Sequence, residues 1–240
     1  MWDSAEYGKL VGEKGHYYHQ SVILSNALKL LDLELPTSLL DIGCGNGVLA
    51  RHLPKGVDYV GIDNSSTLLE EAKRLTKNGH FVCADAAGNW LLDKTFDRAC
   101  FILSLQNMED GESAIKNVRK HLKPNGKLIL FLNHPCFRIP RQSSWGIDEA
   151  AKLQYRRVNG YMSAMKIPID MHPGKKGGAV TYSFHHPLST YSAWLKEAGF
   201  SILQIEEWCS DKKSEGSKAK MEDRARKEIP LFIALLAEAN

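Results

Sequence analysis

Leu39-Leu-Asp-Ile-Gly-Cys-Gly-Asn-Gly-Val-Leu-Ala50 decides the fold of this 240-residue chain. Leu39, Leu40 and Ile42 form the apolar run expected of a parallel strand buried on both faces. Gly43, Gly45 and Gly47 follow at alternate positions. They remove side chains where the backbone turns sharply and where a ligand lies against it. Val48, Leu49 and Ala50 are expected to open a helix whose free N–H groups face the same ligand.

Outward from this stretch, apolar runs alternate with helical periodicity. Tyr59, Val60 and Ile62 make a second strand ending at Asp63, 16 positions after Gly47. An acidic residue there accepts hydrogen bonds from ribose hydroxyls in α/β nucleotide folds. Helix capping is the competing role, and Asn64, Ser65 and Ser66 already offer that chemistry. Substituting Asp63 is therefore expected to weaken ligand binding rather than stability. His80–Cys83 makes a third strand, followed by Asp85 and Ala86. Phe96–Leu105 reads as a fourth strand and Lys127–Leu132 as a fifth, entered through the turn Lys123-Pro-Asn-Gly126. Ser21–Leu33 and Glu112–Leu122 read as amphipathic helices. A further helix is expected from Ser189 as N-cap to Gly199, then strands at Ser201–Trp208 and Ile229–Leu236.

Asp41-x-Gly43-x-Gly45-x-Gly47 resembles motif I of the class I S-adenosylmethionine (SAM)-dependent methyltransferases. A dinucleotide turn more often reads G-x-G-x-x-G, with the third glycine one residue later. SAM carries no pyrophosphate, and its sulfonium and ammonium favour an acidic neighbour such as Asp41. Phe96-Asp97 entering a strand is similar to motif IV of the same family. Leu122-Lys-Pro-Asn-Gly-Lys-Leu-Ile129 is similar to its turn before the fifth strand. The pair His134-Pro-Cys-Phe and His186-Pro-Leu-Ser-Thr-Tyr191 resembles a UbiE-like, type 11/12 small-molecule group.

This resemblance implies an α/β, Rossmann-like, seven-stranded, mostly parallel sheet of order 3-2-1-4-5-7-6 with the last strand antiparallel. It implies SAM as cofactor, bound by Asp41, Gly43, Gly45, Asn46, Gly47, Asp63, Asn64, Asp85, Ala86 and Leu103. Tyr18 joins them from an N-terminal helical cap over residues 1–35, where Gly12-Glu-Lys-Gly-His-Tyr-Tyr-His19 is dense in aromatic residues. Those rings either fold over the cofactor or pack the leading helix on the sheet. The chain has no Asn-Pro-Pro-Tyr after its fourth strand, which argues against the DNA and protein-glutamine methyltransferases that use it.

The segment 137–187 is too long for a simple connection. It reads as an inserted substrate lobe of a single domain, covering a pocket for the methyl acceptor that His134, Arg138, His186 and Tyr191 are expected to line. His134 leads the candidates for a general base because it leaves the end of a central strand. Histidine titrates closest to neutral pH. His186 and Tyr191 are the other catalytic candidates, with His16, His19 and His185 also weighed. Gln106 and Asn107 serve either as substrate contacts or as turn residues.

Residues 138–178 carry eight Lys/Arg against three Asp/Glu, whereas the whole chain is only +3. That excess is either a solvated surface or a handle for an anionic acceptor or RNA. Five cysteines without a C-x-x-C point to reduced thiols in a cytoplasmic protein, not to zinc. No apolar run is long enough for a membrane span. The expected function is methyl transfer to an O or N atom of a small molecule. RNA or protein methylation and SAM binding without catalysis are the alternatives.

Overall fold

Ser38–Ile42 forms β1, and all five residues are buried. Its side chains alternate between two apolar layers. Leu40 and Ile42 face a cluster with Val60, Phe101 and Leu130; Leu39 faces the opposite one with Tyr59, Ile129 and Phe131. The first layer is covered by α3 (Gly111–Lys120) and α4 (Leu188–Glu197), the second by α1 (Leu24–Leu31) and α2 (Ser66–Leu75). Helices on both faces are what a parallel sheet of continuous apolar strands requires. The computed structural model describes residues 17–77, 79–170 and 180–240.

β2 (Asp58–Asp63) and β4 (Phe96–Ile102) flank β1, and both pair with it in parallel. β3 (His80–Cys83) extends the sheet beyond β2, and β5 (Leu122–Asn133) lies beyond β4. β10 (Phe200–Trp208) and β11 (Phe232–Ala239) complete it, giving the order β3-β2-β1-β4-β5-β11-β10. β11 runs antiparallel to both neighbours. This is the sheet that the resemblance implies.

Four local expectations are corrected. The glycine turn is followed not by a full helix but by turns and one 3-10 turn, Ala50–His52. Pro54 is the reason: it holds Leu53 in an extended conformation, ψ 147°, which a helix cannot pass through. The fourth strand stops at Ile102 because Leu103 turns to φ +53°, and a 3-10 turn, Leu105–Asn107, follows. The fifth strand already begins at Leu122. Its Lys-Pro-Asn-Gly turn survives as an irregularity inside the ladder, with Asn125 at φ +60° and a register shift opposite Phe96–Arg98. Finally, α4 begins at Leu188 with Pro187 as N-cap, so Ser189 lies inside the helix. The Leu188 N–H donates instead to the Tyr161 hydroxyl at 3.0 Å.

Between β5 and α4 stand two antiparallel hairpins. One is β6 (Ser143–Asp148) with β7 (Leu153–Val158); the other is β8 (Met165–Asp170) with β9 (Val180–His185). Neither joins the seven-stranded ladder. Side chains tie them down: Arg156 Nε donates to the Phe137 carbonyl at 2.7 Å, and Lys166 pairs with Glu109 at 2.9 Å. α5 (Ala219–Glu228) contacts β7. No helix among the described residues is long and apolar enough to cross a membrane.

Candidate functional site

Open α/β sheets place ligands outside the carboxyl ends of their strands. A cavity of about 680 Å³ lies there, within the roughly 300–1,000 Å³ of small-molecule and cofactor sites. Its wall includes Asp41, Gly43, Gly45, Asn46, Asp63, Asn64, Asp85, Ala86 and Leu103 from the sheet. The hairpin β8–β9 contributes Lys166, Ile169 and Thr181–Phe184.

Two glycines shape the floor. A Cβ on Gly43, φ +71°, would stand 2.5 Å from Ser104 Cβ, so the turn closes on the β4 exit only without a side chain. A Cβ on Gly45, φ +55°, would meet nothing within 4 Å and would project into open space. Gly47 does not line the cavity; its bare Cα lets Ala72 of α2 approach.

Asp63 holds the turn as well as facing the cavity. One carboxylate oxygen accepts the Gly45 N–H at 2.8 Å, the other the Ser65 N–H at 2.9 Å. Ser65, not Asp63, caps α2, its hydroxyl accepting the Leu68 N–H at 3.2 Å. Removing the Asp63 carboxylate therefore strikes the fold too, contrary to the expectation that binding alone would suffer.

Asp41 is buried beneath the turn. It accepts a hydrogen bond from the Tyr59 hydroxyl at 2.9 Å and a weak one from Cys100 Sγ at 3.7 Å. Burial pushes its carboxyl up to about 7, outweighing the two hydrogen bonds that hold it down. The neighbouring Asp63 charge adds to the rise. Asp85 stands exposed at the β3 end, one oxygen accepting the Ala87 N–H at 3.0 Å. Asp41, Asp63 and Asp85 make one side of the cavity acidic.

The opposite side carries amide and hydroxyl groups. Gln106 Oε1 accepts the Asn133 N–H at 3.2 Å, and the Ser183 hydroxyl lies 3.5 Å from the Gln106 carbonyl. Arg138 closes this side, its guanidinium lying over the rings of Phe232 at 4.8 Å and Tyr18 at 5.6 Å. Tyr18 itself does not line the cavity; its hydroxyl lies 3.1 Å from that of Ser210. Its ring meets Phe232 of β11 edge-on at 5.3 Å, and residues 1–16 of the expected cap lie outside the described residues.

The catalytic candidates are not brought together here. His134 is 2 % exposed and off the cavity wall. Its Nδ1 accepts the Cys136 N–H at 3.2 Å, which leaves the proton on Nε2 to be donated to Glu207 at 2.7 Å. Burial lowers its pKa, against the pull of Glu207. Both ring nitrogens are spent, Nδ1 within its own turn and Nε2 on tying the β5 exit to β10. Tyr191 is buried and reaches only a small recess behind the cavity. Burial alone drives its hydroxyl out of range of neutral-pH chemistry. His186 packs edge-on against Trp194 and Tyr191. His185 Nε2 donates to the Tyr161 carbonyl at 2.8 Å. Of the described histidines, only His19 lines the cavity; His16 lies outside the described residues.

A parallel sheet with a glycine turn after its first strand and carboxylates at the ends of the next two defines a binder of nucleoside-type cofactors. Residues 40–130 match the family described as "Methyltransferase domain". The ubiquinone biosynthesis O-methyltransferase of Coxiella burnetii is 31% identical over 192 residues, 76% of this chain and 73% of that protein. The demethylmenaquinone methyltransferase of Thermotoga maritima is 31% identical over 98 residues, 40% of this chain and 43% of that protein. The chain thus spans half or less of the length of several curated relatives that it matches. A crystal structure of a SAM-dependent methyltransferase from Mesorhizobium loti superposes with a TM-score of 0.71 at 23% identity, covering 95% of this chain and all of that one. The chain belongs to the class I SAM-dependent methyltransferases, and SAM is the cofactor of its family.

The residues present fit that cofactor. The open space over Gly45 admits a ligand against bare backbone. The acidic side suits a sulfonium and an ammonium, and a buried carboxyl held near neutrality gains from a cation beside it.

Proposed function

We propose that this chain transfers the methyl group of SAM to an O or N atom of a small molecule. The observation that carries the reading is the single cavity shared by the acidic strand ends and the hairpin β8–β9. Asp63, Asp85 and the turn 43–46 hold the cofactor, with Asn64, Ala86 and Leu103 beside them. Bound there, SAM supplies a methyl carbon already activated by its sulfonium. The remaining task is alignment, to which fixed groups contribute most. Gln106, Asn133 and Ser183 are pinned by their mutual hydrogen bonds and orient the acceptor. His19 takes the acceptor proton in this reading, in place of His134. The 137–187 segment acts as the substrate lobe and excludes water beneath it.

Ion pairing within the lobe favours a small acceptor over RNA. Lys166 pairs with Glu109, and Arg141 with Asp170, which leaves less free charge for a phosphate backbone. The test is incubation with methyl-labelled SAM and three fractions of a cell extract: small molecules, RNA and protein. Label in the small-molecule fraction supports the reading. Label confined to RNA or protein overturns it, and binding of SAM with no labelled product in any fraction reduces the chain to a cofactor binder.

A further inference from the structure

Two long cationic side chains line the cavity among the described residues, and they differ in one respect. The Lys166 ammonium is paired with Glu109. Among the described residues the Arg138 guanidinium has no ion pair and no hydrogen bond, and its Nη1 is buried without a partner. Its described neighbours are the rings of Phe232 and Tyr18, which stand side by side with centroids 5.3 Å apart. Ring faces attract a guanidinium but accept none of its in-plane N–H groups. Arginine stays charged even when burial opposes it. A buried guanidinium without a counter-charge is costly in a folded chain. Its position is nevertheless enforced. The Arg138 N–H donates to the His134 carbonyl at 2.7 Å, in a turn that the His134–Glu207 contact anchors to β10.

The geometry points to Arg138 as the anchor for an anionic group, a carboxylate or a phosphate, on the methyl acceptor. Such a group takes the two parallel N–H bonds that a guanidinium edge offers. The acceptor is its source because of the sheet order. The carboxylates that suit a cationic cofactor end β1, β2 and β3, whereas Arg138 follows β5. β4 stands between, so Arg138 is offset by two strand spacings, about 10 Å, from β1. The cavity thus runs from an acidic end to a basic one. The assignment rests on the methyl-transfer reading above.

The test titrates the full chain, saturated with S-adenosylhomocysteine, by calorimetry with benzoate, phenyl phosphate and uncharged benzyl alcohol. At least one anion should bind ten times more tightly than the alcohol. Arg138→Gln should weaken that anion at least tenfold and leave S-adenosylhomocysteine within twofold. Arg138→Lys, which keeps the charge and much of the stem, should recover part of the loss. Two results overturn the proposal. One is anion binding that is absent, no better than the alcohol's, or indifferent to both variants; Arg138 then only packs over the rings of Tyr18 and Phe232. The other is a tenfold loss of S-adenosylhomocysteine with 5′-methylthioadenosine, which lacks the carboxylate, unaffected; Arg138 then holds the cofactor's own anion. If wild type binds no S-adenosylhomocysteine, the cofactor reading fails by itself, and the same anion titrations on the chain alone still decide the role of Arg138.

Discussion

Asp41→Asn should make the ligand-free protein more stable, and by more at higher pH. The wild-type carboxyl rises from its ordinary 3.8 to about 7 on folding, because burial disfavours its charge. A group whose pKa is raised in the folded state binds protons more tightly there. Its contribution is fully favourable below pH 3.8 and is lost as pH climbs through about 7. Linkage arithmetic between those two values puts the cost of the carboxyl at about 2 kcal/mol at pH 5 and about 4 kcal/mol at pH 7.5. An asparagine does not titrate. Its amide oxygen can still accept from the Tyr59 hydroxyl, now 2.9 Å from the carboxylate, while its NH₂ replaces the acceptor of Cys100 Sγ. That exchange carries no pH dependence, so the titration shows as a gain about 2.5 kcal/mol larger at pH 7.5 than at pH 5. Urea unfolding of both proteins at pH 5 and pH 7.5 reads it directly. A stability difference equal at the two pH values, or one that shrinks as pH rises, would refute the assignment of a proton to Asp41. The same carboxyl should ionise when a cation binds beside it. SAM binding near pH 7 should then release a proton, visible as a buffer-dependent calorimetric heat that Asp41→Asn abolishes.

Asp63→Ala should lower SAM affinity more than tenfold and also destabilise the ligand-free chain by about 2–4 kcal/mol, since two backbone N–H groups lose a charged acceptor; an unchanged melting temperature would show that those bonds are dispensable. His19→Ala should reduce kcat about 10²–10⁴-fold, whereas His134→Asn should leave SAM affinity within twofold and most of the turnover. The reverse pattern in steady-state assays would return the base to His134. Gly43→Ala should cost about 2–5 kcal/mol through its left-handed backbone and the clash with Ser104. Gly45→Ala, with open space before it, should cost about 1 kcal/mol yet bind SAM poorly, as paired urea and calorimetric titrations would show.

The sheet was legible because its signals are local. Leu39, Leu40 and Ile42 read as a two-sided strand on their own, and Asp63 and Asp85 announce strand ends by position. One proline, Pro54, cancels the helix that Val48–Ala50 suggest, because its effect falls on Leu53, outside the motif. His134 misleads for a different reason. Its fate is set by Glu207, 73 residues further on, and no spacing rule connects the two. Tyr191 likewise looks available until Trp194, three residues along the helix, packs against its ring. His19 was one histidine among several, and what singles it out is the cavity wall, a property of the folded chain. The loneliness of Arg138 is equally invisible in sequence, where its basic neighbours suggest a diffuse charge rather than one unsatisfied group.

The two hairpins between β5 and α4 form ladders of their own and leave the seven-stranded one uninterrupted. A handful of side-chain ties, such as Arg156 to the Phe137 carbonyl and Tyr161 to the Leu188 N–H, fasten them to the body. Sequence drift, insertion or wholesale replacement within this region therefore leaves the register of every central strand untouched. On the function proposed above, the grip on the cofactor and the choice of acceptor become separable inheritances. A chimera carrying the hairpins of another methyltransferase, joined after Phe137 and before Leu188, tests specificity as a transplantable part.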